Sequence, residues 1–222
     1  MWRDAVIVGG KDLRIEARSR VTTMQVAPFA VLVLVLIGFA FDQNHTLLTQ
    51  AAPGLFWVAV VLCTLLAVQR SFAIEAADGA RDGLRLSGLD PAGMFLGKAA
   101  AIAAQLAVLE VLLGVGVVVI FGTDLRDPGL LVAAAAAATL GLAAAGTVYG
   151  MMVAGLRVRE TLLPLLILPV VAPVVLGASQ AWMAALGLSN TDGWKWLVLL
   201  FSFAAIYVTM GVLAFGSLVE DE

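Results

Sequence analysis

Six stretches of this chain are apolar for long enough that each must cross a bilayer or be buried whole. They lie at about 24–41, 52–69, 99–122, 130–154, 161–182 and 195–218. A helix rises ~1.5 Å per residue and the hydrocarbon core is ~30 Å thick, so about 20 apolar residues make one span. Of the 222 residues, 62% are hydrophobic and 13% charged, whereas soluble domains are roughly half apolar and about a quarter charged. Backbone polar groups inside lipid must be satisfied within the segment, which favours helices. The expected fold is therefore an all-α integral membrane protein. One transmembrane domain over residues 1–222 with six transmembrane helices leaves little room for a separate soluble domain.

Loop charges orient these spans. Arg3, Lys11, Arg14, Arg18 and Arg20 precede the first span, Arg70, Arg81, Arg85 and Lys98 lie between the second and third, and Arg157 and Arg159 follow the fourth. The opposite loops carry only Arg126 and Lys195. Eleven against two places both termini in the cytoplasm by the positive-inside rule. Residues 1–21 mix Trp2, Val6, Leu13 and Ile15 with charged residues, which suits a helix at the cytoplasmic membrane interface. No cleavable signal peptide is expected, because the first apolar run begins near Met24, after a charged stretch. Trp194 and Trp196 flank Lys195 and mark the outer interface.

Between the second and third spans lies a polar island, residues 70–98, holding eight of the 29 charged residues. Phe72, Ala76, Ala80 and Leu84 recur every four residues and form an apolar stripe on a helix. Glu75, Asp78 and Asp82 make an acidic face, and Asp78–Arg81 and Asp82–Arg85 are spaced to pair. Gly79 and Gly83 weaken an isolated helix by about 1 kcal/mol each and permit close approach of a partner. Asp90-Pro91 reads as an N-cap followed by proline at the first helical position, starting the third helix before its span. The pattern describes a short cytoplasmic helix across the ends of two spans. By composition it fits a solvated interfacial helix as well as a docking element.

Within the spans, Glu110 is the one acid, near the middle of the third. A charge there costs roughly 2.5–3.5 kcal/mol on insertion scales, so it faces the bundle interior. It serves either as a contact for substrate or a partner helix, or as a neutral group bonded to a neighbouring hydroxyl or backbone; Gln105 is its nearest polar neighbour in the same span. The run Ala133 to Ala138, with Gly141, Gly146 and Gly150, places the fourth span centrally, since small residues let helices approach closely. Pro164, Pro169 and Pro173 favour a bend or break in the fifth. The single Cys63 and single His45 exclude an intramolecular disulfide and a cysteine-based metal cluster, and they leave no triad for catalysis. His45, in an outer loop, reads as a solvated histidine.

The order of these parts resembles an ABC-2-like permease, and more narrowly the haem exporter protein B family of the cytochrome c maturation system. The resemblance rests on A-P-G-L-F-W-V-A at Ala52 to Ala59, on LLPLLILPVVAPVV in the fifth span, and on the island. There Arg70, Phe72, Glu75, Asp78, Gly79, Leu84 and Lys98 match the family pattern, while Gln69 stands where the family usually has Glu and Arg81 replaces a common Leu. The resemblance implies a non-catalytic permease subunit whose coupling helix, residues 71–86 with Arg70, Phe72, Glu75, Asp78, Gly79, Arg81, Asp82 and Leu84, meets a cytoplasmic ATPase. No G-x-x-x-x-G-K-[ST] motif occurs here, so ATP belongs to that partner. It also implies a haem-handling membrane subunit, a small membrane subunit and a transient haem chaperone on the outer side, with haem as cargo and the bacterial inner membrane as location. No nucleic acid is expected. Two other readings stay open: an ABC-2-type permease for a lipid, drug or polysaccharide, and a membrane scaffold without transport.

Overall fold

The computed structural model describes residues 1–19, 26–40, 45–77, 88–121, 126–154, 156 and 158–220. Among these, seven helices account for the fold: α1 (Trp2–Ser19), α2 (Ala27–Ala40), α3 (His45–Ala77), α4 (Pro91–Phe121), α5 (Pro128–Ala154), α6 (Arg159–Ala185) and α7 (Gly193–Glu220). Five of them, α3 to α7, are long and apolar enough to cross a membrane. Among the described residues the helix in the first apolar run spans 14, about 21 Å at the α-helical rise; residues 20–25 and 41–44 of that region lie outside them.

Two helices overrun their apolar stretches. The second stretch ends at residue 69, but α3 continues through Ala77, taking the first part of the island into the same rod. Helix α4 starts at Pro91, before its span, as Asp90-Pro91 signals. The Asp90 carboxylate, expected to cap that helix, lies instead 3.3 Å from the Met1 amine. A cap of the expected kind occurs at α5, where Asp127 Oδ1 accepts the Leu130 N–H at 3.0 Å and Pro128 takes the first helical position.

Helix α5 touches α3, α4, α6 and α7, and most of its residues are buried. Its glycines set the spacing: a Cβ at Gly146 would lie 2.7 Å from Val68 Cγ2, and one at Gly150 would meet the Phe72 ring. Helix α6 runs through Pro164, Pro169 and Pro173 without the break that those prolines allowed. It ends in a Schellman turn, with Gly187 at φ +68° and bonds from Gly187 N–H to Ala184 and from Leu188 N–H to Met183. The Ala185 carbonyl, left open by that turn, accepts the N–H groups of Arg126 and Asp127 and ties the α4–α5 connection to it.

Candidate functional site

The polar residues converge on a joint of α1, α3 and α4. Helix α1 runs beside the first half of α4 in the same direction, at a separation only glycine permits. A Cβ at Gly93 would lie 2.6 Å from the Met1 carbonyl oxygen, and one at Gly97 2.5 Å from that of Ala5. From the other side, a Cβ at Gly9 would lie 2.9 Å from the Gly97 carbonyl oxygen. This is the small-xxx-small packing that brings membrane helices into backbone contact.

Charges close the joint. Lys98 is 4% exposed; its Nζ lies 3.3 Å from Asp12 Oδ2 and 3.0 Å from Ser71 Oγ, and 4.7 Å from the centre of the Phe72 ring. One buried ammonium thus touches α1 and two consecutive residues of α3, a contact that low dielectric strengthens. One turn along α1, Glu16 Oε2 lies 3.6 Å from Arg70 Nε. At the opposite end the Met1 ammonium lies 3.2 Å from Asp4, whose carboxylate also accepts the Asp90 N–H. That ammonium, and next the Asp90 N–H, hold the Asp4 carboxyl below its ordinary range, while the Asp4 carboxylate raises the amine.

The expected coupling residues fall into two groups. Arg70 and Phe72 lie on the last turns of α3, in the joint. Glu75 lies on the same helix, its side chain outside the described residues. Asp78, Gly79, Arg81, Asp82 and Leu84 also lie outside the described residues. Residues 71–77 continue α3 instead of starting a separate cross-lying helix. Sequence reasoning missed Asp12, Glu16, Ser71, Gly93 and Gly97; the signal for them was Gly93-x-x-x-Gly97 facing Ala5-x-x-x-Gly9, with acids one turn apart at 12 and 16.

Beside the joint, a cavity of about 250 Å³ opens between α3, α5 and α6, lined by Gln69, Arg70, Phe72, Gly150 and Glu160 among others. Gln69 Nε2 donates to the Glu160 carbonyl at 3.1 Å. Glu160 precedes Pro164 by four residues, so the helical donor for that carbonyl is absent; a side chain from α3 supplies it. Gln69→Met should lower stability by about 1 kcal/mol, read as a fall of roughly 2–4 °C in the thermal midpoint of the purified chain. An unchanged midpoint would show that water serves the carbonyl equally well.

The intramembrane acid sits elsewhere. Glu110 Oε1 lies 2.5 Å from Thr139 Oγ1 on α5, and the same hydroxyl lies 2.8 Å from the Ala135 carbonyl oxygen. The Thr139 hydroxyl thus stands between Glu110 on α4 and the Ala135 carbonyl of its own helix, a polar contact that joins the two spans. Gln105 lies across the helix in the crevice with Asp12, Glu16 and Arg70. Glu110 and Thr139 line an apolar groove of about 590 Å³ between α4 and α5, walled by Phe56 and Trp182, whose rings stack at 4.2 Å. Cys63 is buried in α3. His45 begins α3 with its side chain outside the described residues. Among the described residues no group of three or more His, Cys, Asp or Glu is placed to hold a metal ion.

Comparison with known proteins covers nearly the whole chain. The model of one protein family, described as CcmB protein, matches residues 4–221. Three similar proteins carry the name Heme exporter protein B. The one from Paracoccus denitrificans is 31% identical over 175 residues, 77% of this chain and 78% of the relative. That from Haemophilus influenzae is 28% identical over 79% of each chain, and that from Pseudomonas aeruginosa 29% identical over 84% of each.

Proposed function

The chain belongs to the CcmB protein family, and from that premise we propose that it is the membrane subunit of a complex that handles haem for cytochrome c maturation. The family match over residues 4–221 carries this reading, together with relatives named for haem export. The chain is a permease subunit of the bacterial inner membrane and does no chemistry itself; ATP is hydrolysed by a cytoplasmic ATPase. Its other partners are a haem-handling membrane subunit, a small membrane subunit and, on the outer side, a haem chaperone.

In this reading α2 is the first of six spans, α1 lies at the cytoplasmic membrane surface, and both termini are cytoplasmic. The ATPase docks on the coupling segment within residues 70–98. The joint supports that placement physically. Helix α3 is one rod from His45 to Ala77, so a displacement at its cytoplasmic end moves the span directly. Phe72 carries it to α5 through Gly150, and Ser71 carries it to α4 and α1 through Lys98. A push on one segment therefore reaches four helices through buried contacts.

Co-purification with the ATPase tests the proposal. Gly79→Trp, or charge reversal at Glu75 and Asp78, should abolish association while the permease stays folded in the membrane. Association at the wild-type level in both variants would overturn the docking assignment. Recovery of the chain with no ATPase at all would overturn the transporter reading.

A further inference from the structure

The groove that Glu110 and Thr139 line is long, shallow at its rim and walled by small residues. Its rim faces outward, with Val111 70%, Val132 64% and Val115 59% exposed, so in a bilayer it faces lipid. Ala103, Ala104 and Ala107 wall it on α4, and Ala135 and Ala136 on α5. From residue 103 to residue 115 it runs about 18 Å along α4 at the helical rise, more than half of a ~30 Å hydrocarbon core. A Cβ added at Gly114, another lining residue, would meet nothing within 4 Å. The polar contact inside is half complete. Glu110 Oε1 is bonded to Thr139, while Oε2 has no hydrogen-bond partner among the described residues. The fully buried side-chain atoms without a partner there are Trp57 Nε1 and Arg70 Nε. Oε2 is therefore not sealed in protein, and it opens into the groove.

Acyl chains offer that oxygen no hydrogen bond, and a polar group at this depth is costly until it is paired. The small walls beside it let a second backbone come close. We infer that the groove receives a membrane-spanning helix of a different subunit, which sets a hydroxyl or amide side chain against Glu110. Its length along α4 matches a helix of several turns. The lining has no Lys or Arg for a propionate and no His, Cys, Met or Tyr for iron, so it does not suit a porphyrin. A second copy of this chain is a poor match as well. The exposed faces of α6 and α7 present bulky apolar groups such as Leu165, Leu176, Val198 and Phe201, and the exposed Ser202 hydroxyl already donates to the Val198 carbonyl. Groove against groove would set carboxyl against carboxyl. The inference rests on the reading of this chain as one subunit of a membrane complex, and it adds the face and the side chain at which another membrane subunit is held.

Gly114→Leu tests this, with Gly116→Leu as its matched control. Both lie on α4 and a Cβ at either meets nothing within 4 Å, but of the two Gly114 alone lines the groove. In the co-expressed complex, Gly114→Leu should abolish recovery of the membrane subunit held there, and Gly116→Leu should recover it at the wild-type level. Each variant purified alone should be at least as stable as wild type, since leucine is favoured over glycine in a helix. Glu110→Leu should cut recovery about three- to tenfold, the worth of one interhelical hydrogen bond, and Glu110→Gln should retain it. A photoreactive residue at Ala136 should cross-link to a membrane-spanning peptide of the haem-handling or small membrane subunit that carries Ser, Thr, Asn or Gln. One at Leu213, 77% exposed on α7, should not. Equal recovery with Gly114→Leu and Gly116→Leu overturns the inference, as do cross-links from Ala136 only to a second copy of this chain or only to lipid. Recovery of that subunit by wild type without any ATPase would sink the transporter reading and leave this one standing.

Discussion

Lys98→Met should cost the purified chain about 3 kcal/mol of stability and lower its thermal midpoint more than any other single charge removal at the joint. Breaking a buried ion pair from one side typically costs ~3–5 kcal/mol, because the partner is left charged in a poor solvent. The lower end applies here. Asp12 Oδ1 keeps Lys11 Nζ at 3.1 Å, and that lysine is 34% exposed and partly screened by water. Methionine preserves the length of the stem and its contact with Phe72, so the loss measured is that of the ammonium. The double variant Asp12→Leu/Lys98→Met should recover most of it, since replacing both members of a buried pair by apolar groups is often neutral. A single variant as stable as wild type would mean that the ammonium contributes nothing net to the joint. A double variant no better than the single would place the loss in Ser71 or Phe72.

Lys98 stood out in the sequence, but its partners Asp12 and Ser71 did not, and the reason applies to the joint as a whole. Hydropathy located α3 to α7 because each is a long, nearly uninterrupted apolar run, and the small residues of Ala133 to Gly150 marked α5 as central for a reason intrinsic to that helix. Periodicity gave α1 its stripes too, but a helical wheel does not say which stripe meets protein. The acids at 12 and 16 look like solvent-facing residues until the register of α1 on α4 is known, and two glycines distant in sequence set that register. Glu110 shows the same limit: the sequence allowed a bond to a neighbouring hydroxyl, but only the packing of α4 on α5 shows that Thr139 supplies it. In α6 the local rule for proline is sound, yet one of the three open carbonyls takes its donor from Gln69.

Gly97→Val should detach α1 from α4, and Gly97→Ala should already be destabilising by about 1–3 kcal/mol, the usual range for overpacking. The sign is the informative part. In a helix interior alanine is favoured over glycine by ~0.8–1 kcal/mol, so a substitution judged by propensity alone would stabilise the chain. At Gly97 the new Cβ would lie 2.5 Å from the Ala5 carbonyl oxygen and 3.0 Å from the Gly9 nitrogen. Both are backbone atoms, which no change of rotamer can move aside. Gly10 is the control on the neighbouring residue of Gly9, since a Cβ there meets nothing within 4 Å; Gly10→Ala should raise the midpoint. If α1 separates, Asp12 and Lys98 part with it, so Gly97→Val and Lys98→Met should cost clearly less together than the sum of the two. Full additivity would show that steric and ionic contacts hold the helix independently. A stabilising Gly97→Ala, equal to Gly10→Ala, would deny the backbone contact itself and with it the assembly of acids and bases that depends on it.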